Sequence, residues 1–158
     1  MVFTLRIAPA ASPEAQALIA ELDIYLTALY PGYATNGIVT EDFESRGGVF
    51  MLGRVDDALA GCGAFRPHDD AAEIKRLYVR ASMRGRGVAR TILRRLEHEA
   101  REAGFARGLL ETGTRQPESI ALYRAEGWLP IAPFGSYDDN PFSVCFAKRF
   151  DGDASTSP

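Results

Sequence analysis

Apolar and polar positions alternate over Phe3-Thr-Leu-Arg-Ile7, which predicts a first strand. The period then changes. Leu18, Ile19, Leu22, Leu26 and Leu29 recur at helical spacing behind Ser12-Pro13, a capping serine with proline at the first helical position. That helix runs to about Tyr30, where Pro31-Gly32 stops it. Tyr33 to Val39 reads as loop, and Thr40-Glu-Asp-Phe-Glu44 as a short second helix with its own cap. Two apolar runs, 49–55 and 58–65, flank Asp56-Asp57 and read as a hairpin. Gly61 and Gly63 sit inside its second strand, where glycine marks a bulge or the close approach of other atoms. Pro67 to Asp70 reads as the next turn, with His68 exposed in it.

Glu73 to Val79 is the central strand. A linker, Arg80 to Met83, leads into Arg84-Gly-Arg-Gly-Val-Ala89 and then a helix from about Gly87 to Ala103. Val88, Ala89, Ile92, Leu93, Leu96 and Ala100 form its apolar stripe. Arg90, Arg94, Arg95, Glu97, His98, Glu99 and Arg101 are assigned to its outer face, and Gly104 to its left-handed end. Residues 108–112 read as a short buried strand. Pro117 opens another helix and Gly127 closes it. Residues 128–131 and 142–148 read as a final antiparallel pair of strands. The expected organisation is a single domain over 1–150 and a polar, disordered tail over 151–158. No repeat or linker interrupts it.

Strand, glycine-rich turn and helix N-terminus together can hold phosphate. The turn lets backbone approach closely, and the helix end offers unpaired N–H groups with a positive dipole. Arg84 and Arg86 add charge, so a pyrophosphate is the natural ligand. The same residues also fit an ordinary connection with solvated arginines. They are neither a P-loop, lacking Gly-Lys-Ser/Thr, nor the dinucleotide fingerprint, lacking a third glycine.

Composition narrows the classes. A net charge of −3 and a pI near 5.4 speak against nucleic-acid binding. No run approaches the roughly 18 apolar residues of a membrane span, and no signal peptide is visible. Cys62 and Cys145, each inside an apolar run, are expected to be buried free thiols. These features predict a soluble, cytoplasmic protein without a metal site.

Arg84-x-x-Gly87-x-Ala89, following a strand that ends at Val79, resembles the Arg/Gln-x-x-Gly-x-Gly/Ala motif of the GNAT superfamily of N-acetyltransferases. Leu122-Tyr-Arg-Ala-Glu-Gly-Trp128 is similar to that superfamily's Leu-Tyr-x-x-x-Gly-Phe segment. The likeness extends from about Phe3 to Phe150, and Gln116 stands where the family often has Asn. It implies an α/β fold: a mixed sheet of six or seven strands, helices on both faces, and a splay between strands 4 and 5 that admits acetyl-CoA. Leu77, Tyr78 and Val79 would pair with the pantetheine arm, an added-strand mode of recognition. Arg84, Gly85, Arg86, Gly87, Val88 and Ala89 would hold the pyrophosphate, and Gln116 and Ser119 would add contacts.

The activity the resemblance implies is transfer of an acetyl group to a primary amine of a small molecule or peptide. Tyr123 would protonate the departing thiolate. Glu73, which resembles the base position of the histone-acetyltransferase branch, would take the amine's proton, with Glu111 as second candidate. The acceptor site would draw on the variable first loops, here Tyr30, Tyr33, Asp42 and Glu44, and on Asp138-Asp139 of the last hairpin. A homodimer is a further expectation. The competing reading is a catalytically degenerate sensor that binds coenzyme A without turnover.

Overall fold

The computed structural model describes residues 1–33 and 47–150. The expected short helix at 40–44, with Asp42 and Glu44, and the tail at 151–158 lie outside these residues. The elements are β1 (Phe3–Ile7), α1 (Pro13–Leu29), β2 (Val49–Val55), β3 (Ala58–His68), β4 (Ala71–Val79), α2 (Val88–Glu102), β5 (Arg107–Gly113), α3 (Pro117–Ala125), β6 (Leu129–Ile131) and β7 (Ser143–Arg149). The seven strands form one mixed sheet in the order β1-β2-β3-β4-β5-β7-β6. Every neighbouring pair is antiparallel except β4–β5, which is parallel.

Local chemistry explains the hairpin. Asp56 and Asp57 both take positive φ, 48° and 69°, the backbone of a two-residue turn that matches strand twist. In β2, alternate residues face opposite ways. Phe50 and Leu52 pack under α1 with Leu18, while Met51 and Val55 join Ile92, Leu93 and Leu96 of α2. Both faces are covered, so the strand reads as one continuous apolar run.

The two glycines of β3 serve close approach, as expected. A β-carbon on Gly61 would stand 2.4 Å from the Tyr78 carbonyl oxygen, and one on Gly63 would stand 2.8 Å from Ile92 and Leu96. Opposite Gly63 lies the bulge that shapes the site. Cys62 pairs with Tyr78 and Ala64 with Lys75, so Arg76 and Leu77 share the space of one residue, and Arg76 takes φ 60°. The pairing of β4 with β5 ends at Ile74↔Leu110, although both strands run on.

Three expectations need correction. β3 continues to His68 and the turn falls at Asp69-Asp70, because β2 starts opposite Phe65 and leaves Pro67 without a second neighbour whose hydrogen bond it would break. His68 is therefore only part-exposed, with its ring against Phe134 at 5.3 Å. Glu97 is 5% exposed rather than on the outer face. It accepts from the Trp128 indole at 3.1 Å and pairs with Lys148 at 2.7 Å. Cys62 and Cys145 are buried free thiols, and burial pushes Cys62 up to about 12. Among the described residues no helix is long and apolar enough to cross a membrane, and no group of side chains suits a metal.

Candidate active site

Where β4 ends, the Arg80 N–H donates to the Ala60 carbonyl at 2.8 Å, and a 3-10 turn, Ala81–Met83, redirects the chain. Gly85 and Gly87 then take φ 78° and 80°, which side-chain-bearing residues avoid. Gly87 caps α2 with no side-chain hydrogen bond, leaving the first-turn N–H groups without a side-chain partner. A β-carbon on either glycine would meet nothing within 4 Å, so the space over this helix end is open. The geometry fits a phosphate cradle made of backbone from Arg84, Gly85, Arg86, Gly87, Val88 and Ala89. The Arg84 side chain folds back instead, donating to the Val79 carbonyl at 3.2 Å and stacking on Tyr25.

Beyond Ile74, the β5-side backbone of residues 75–79 has no strand partner. A cavity of about 150 Å³ lies in this opening, about the liquid volume of five waters. That exceeds what an acetyl group alone needs. α1 contributes Leu22 and Leu26, β4 contributes Lys75, Arg76 and Leu77, and β5 contributes Glu111, Thr112 and Gly113. Tyr123 and Ser119 of α3 and Gln116 before it complete one side, with Tyr30, Tyr33, Asn140 and Phe142 on the other. Gln116 Oε1 accepts from the Tyr30 hydroxyl at 3.1 Å, joining the end of α1 to the start of α3. Of the remaining strand residues, Tyr78 turns its hydroxyl toward Glu21 and Val79 packs in the core, so each faces the opening with backbone alone.

Tyr123 is 6% exposed, wedged by Trp128 and Phe146 with ring centroids 6.4 and 6.0 Å away. Burial raises its hydroxyl above the ordinary tyrosine range, and the Glu111 charge adds to this. It is protonated at neutral pH. Burial also raises Glu111, against the opposing effects of the hydrogen bond from Ser143 at 2.7 Å and the charge of Lys75.

Glu73 does not line the cavity. It is fully enclosed, with Oε1 accepting from Arg66 Nε at 3.1 Å and Oε2 from the Tyr137 hydroxyl at 2.6 Å. The Tyr137 oxygen in turn accepts from Lys75 Nζ at 2.5 Å. Sequence reasoning missed Lys75, although the two-residue period puts it on Glu73's face of the strand. It also missed Tyr137 and Ser143, which arrive from the last hairpin with no local signal.

The pattern of the Acetyltransferase (GNAT) family matches residues 17–128. An IAA acetyltransferase of Azospirillum brasilense is 38% identical over 133 residues, 83% of this chain and 87% of that protein. Among solved structures, a Klebsiella pneumoniae protein assigned as an acyl-CoA N-acyltransferase superposes with TM-score 0.80 at 27% identity, over 94% of this chain and 98% of that one. A GNAT family acetyltransferase of Elizabethkingia anophelis, solved with acetyl-CoA bound, shares the fold with TM-score 0.66 at 17% identity, covering 93% and 97% of the two chains. The chain belongs to the Acetyltransferase (GNAT) family.

Proposed function

We propose that this protein transfers the acetyl group of acetyl-CoA to a primary amine by direct attack, with both substrates bound at once. Acetyl-CoA supplies an activated thioester. The observation that carries the reading is the opening of β4 from β5 after Ile74, with a cavity in the gap and a glycine-capped helix end at the close of the same strand. The Arg84 to Ala89 backbone holds the pyrophosphate. Backbone groups of Leu77, Tyr78 and Val79 take the pantetheine arm as an added strand, and Gln116 and Ser119 flank it. Free strand N–H groups near the bulge stabilise negative charge developing on the acyl oxygen.

Two protons must move. The acceptor amine, with an ordinary pKa of about 10.4, must lose one before it can attack. Glu111 takes it, in preference to Glu73. Glu111 lines the cavity and its raised proton affinity narrows the gap to the amine, whereas both Glu73 oxygens are committed to Arg66 and Tyr137. The Tyr123 hydroxyl donates to the departing sulfur, and being protonated it can act only as a donor there.

Thiol release from acetyl-CoA, followed with and without a panel of primary amines, tests the proposal. Amine-dependent release with formation of the acetylated amine is expected. Tight acetyl-CoA binding with no turnover on any amine would favour the sensor reading instead.

A further inference from the structure

The cavity is lined by two side chains of opposite charge that act on each other electrostatically without touching. Lys75 enters from β4 and Glu111 from β5, and both line it. Among the described residues no ion pair joins them. Lys75 Nζ carries three donors. One goes to Tyr137, and Glu73 Oε2, at 3.7 Å, stands beyond hydrogen-bond length. No other acceptor among the described residues takes the remaining two. Glu73 is nonetheless its ion-pair partner at that distance, and burial lowers the proton affinity of the ammonium while the Glu73 and Glu111 charges oppose that shift. Arg76 lines the same cavity, but its guanidinium is engaged by Asp23 at 2.8 Å.

Lys75 is also held from behind. Tyr137 bonds to Glu73, and Glu73 to Arg66, so the ammonium is fixed before any ligand arrives. On the opposite strand, Glu111 Oε2 takes the Ser143 hydroxyl, and Oε1 has no hydrogen bond among the described residues. Leu22, Leu26 and Phe142 give the cavity an apolar wall. Two N–H donors of an ammonium thus remain for an anion, one carboxylate oxygen for an amine, and an apolar surface lies beside them.

We propose that the acceptor is an amine that also carries a carboxylate, an α-amino acid with an apolar side chain, its carboxylate on Lys75 and its amine at Glu111. This rests on the N-acetyltransferase reading and names its substrate class. A polyamine would set a second ammonium against Lys75, a like-charge contact the site disfavours.

Wild-type protein with acetyl-CoA is tested on matched acceptors: phenylalanine, phenylalanine amide and phenethylamine. Thiol release is normalised to the fraction of neutral amine. One charge-assisted contact predicts kcat/KM for phenylalanine at least about tenfold above both analogues. In Lys75→Met the preference is expected to collapse toward unity through a raised KM for phenylalanine, with the KM for acetyl-CoA little changed. Turnover of the amide or of phenethylamine as fast as the amino acid would overturn the proposal and leave the enzyme reading standing. A folded Lys75→Met that keeps the preference would overturn it as well. No turnover of any of the three, or of other amines, would remove both readings. The wild-type comparison decides even if Lys75→Met does not fold.

Discussion

Two carboxylates competed for one role, and their surroundings separate them. Glu73 is enclosed and doubly hydrogen-bonded, whereas Glu111 faces a cavity with a raised proton affinity. Glu111→Gln should lower kcat about 10²- to 10⁴-fold, the usual range for a lost general base. The sign of the pH dependence follows. Activity in the wild type falls as pH drops through the raised Glu111 value, and in Glu111→Gln that limb should move up toward the amine's own ionisation. An unmoved acidic limb would hand the proton to water. Glu73→Gln should act first on stability, since it takes the anion from Arg66 and Tyr137. A loss of about 3 kcal/mol, or roughly 6–12 °C in melting temperature at this chain length, is expected by calorimetry. Tyr123→Phe keeps the ring against Trp128 and Phe146, so stability should hold while kcat falls about 10- to 1000-fold. A melting-point drop with normal turnover would make the hydroxyl structural.

At the scale of elements, the turn after β4 divides its work between conformation and space. Gly87 needs its positive φ, and nothing fills the volume above it. Gly87→Glu should cost about 1–2 kcal/mol of backbone strain. It also sets a carboxylate over the helix end where phosphate would sit, so acetyl-CoA affinity should fall at least tenfold by titration calorimetry in a folded variant. Unchanged affinity would move the phosphates elsewhere. This turn was legible in the sequence because glycine spacing and a change of period are local. So were the hairpin, written in Asp56-Asp57, and the stripe of α2. What stayed hidden was non-local. Pro67 looked like a turn because only the sheet reveals that β2 has stopped beside it. Glu97 looked exposed because its partners, Trp128 and Lys148, are more than 30 residues away. Lys75 gained its meaning only when Tyr137 came back over the sheet.

The whole molecule is a sheet nearly parted in two. β1 to β4 form one half and β5, β7 and β6 the other, and three residue pairs, Ala72↔Gly108, Glu73↔Leu109 and Ile74↔Leu110, join them. The proposed machinery is divided across that seam. The phosphate turn and Lys75 belong to the first half, and Glu111 and Tyr123 to the second. A ligand lying between β4 and β5 would therefore lend the sheet the strand it lacks there. Binding that favours the folded state stabilises it by about 2.7 kcal/mol at a hundredfold excess over Kd, or roughly 5–10 °C here. The rise alone would not locate the ligand, but amide hydrogen exchange would. Amides within residues 75–79, lacking a strand on the β5 side, should gain protection with acetyl-CoA. The β1–β2 ladder, distant from the seam, should change little. A higher melting temperature with exchange at 75–79 unaltered would mean that the cofactor sits outside the cleft, and the division of catalytic labour across the seam would fall with it.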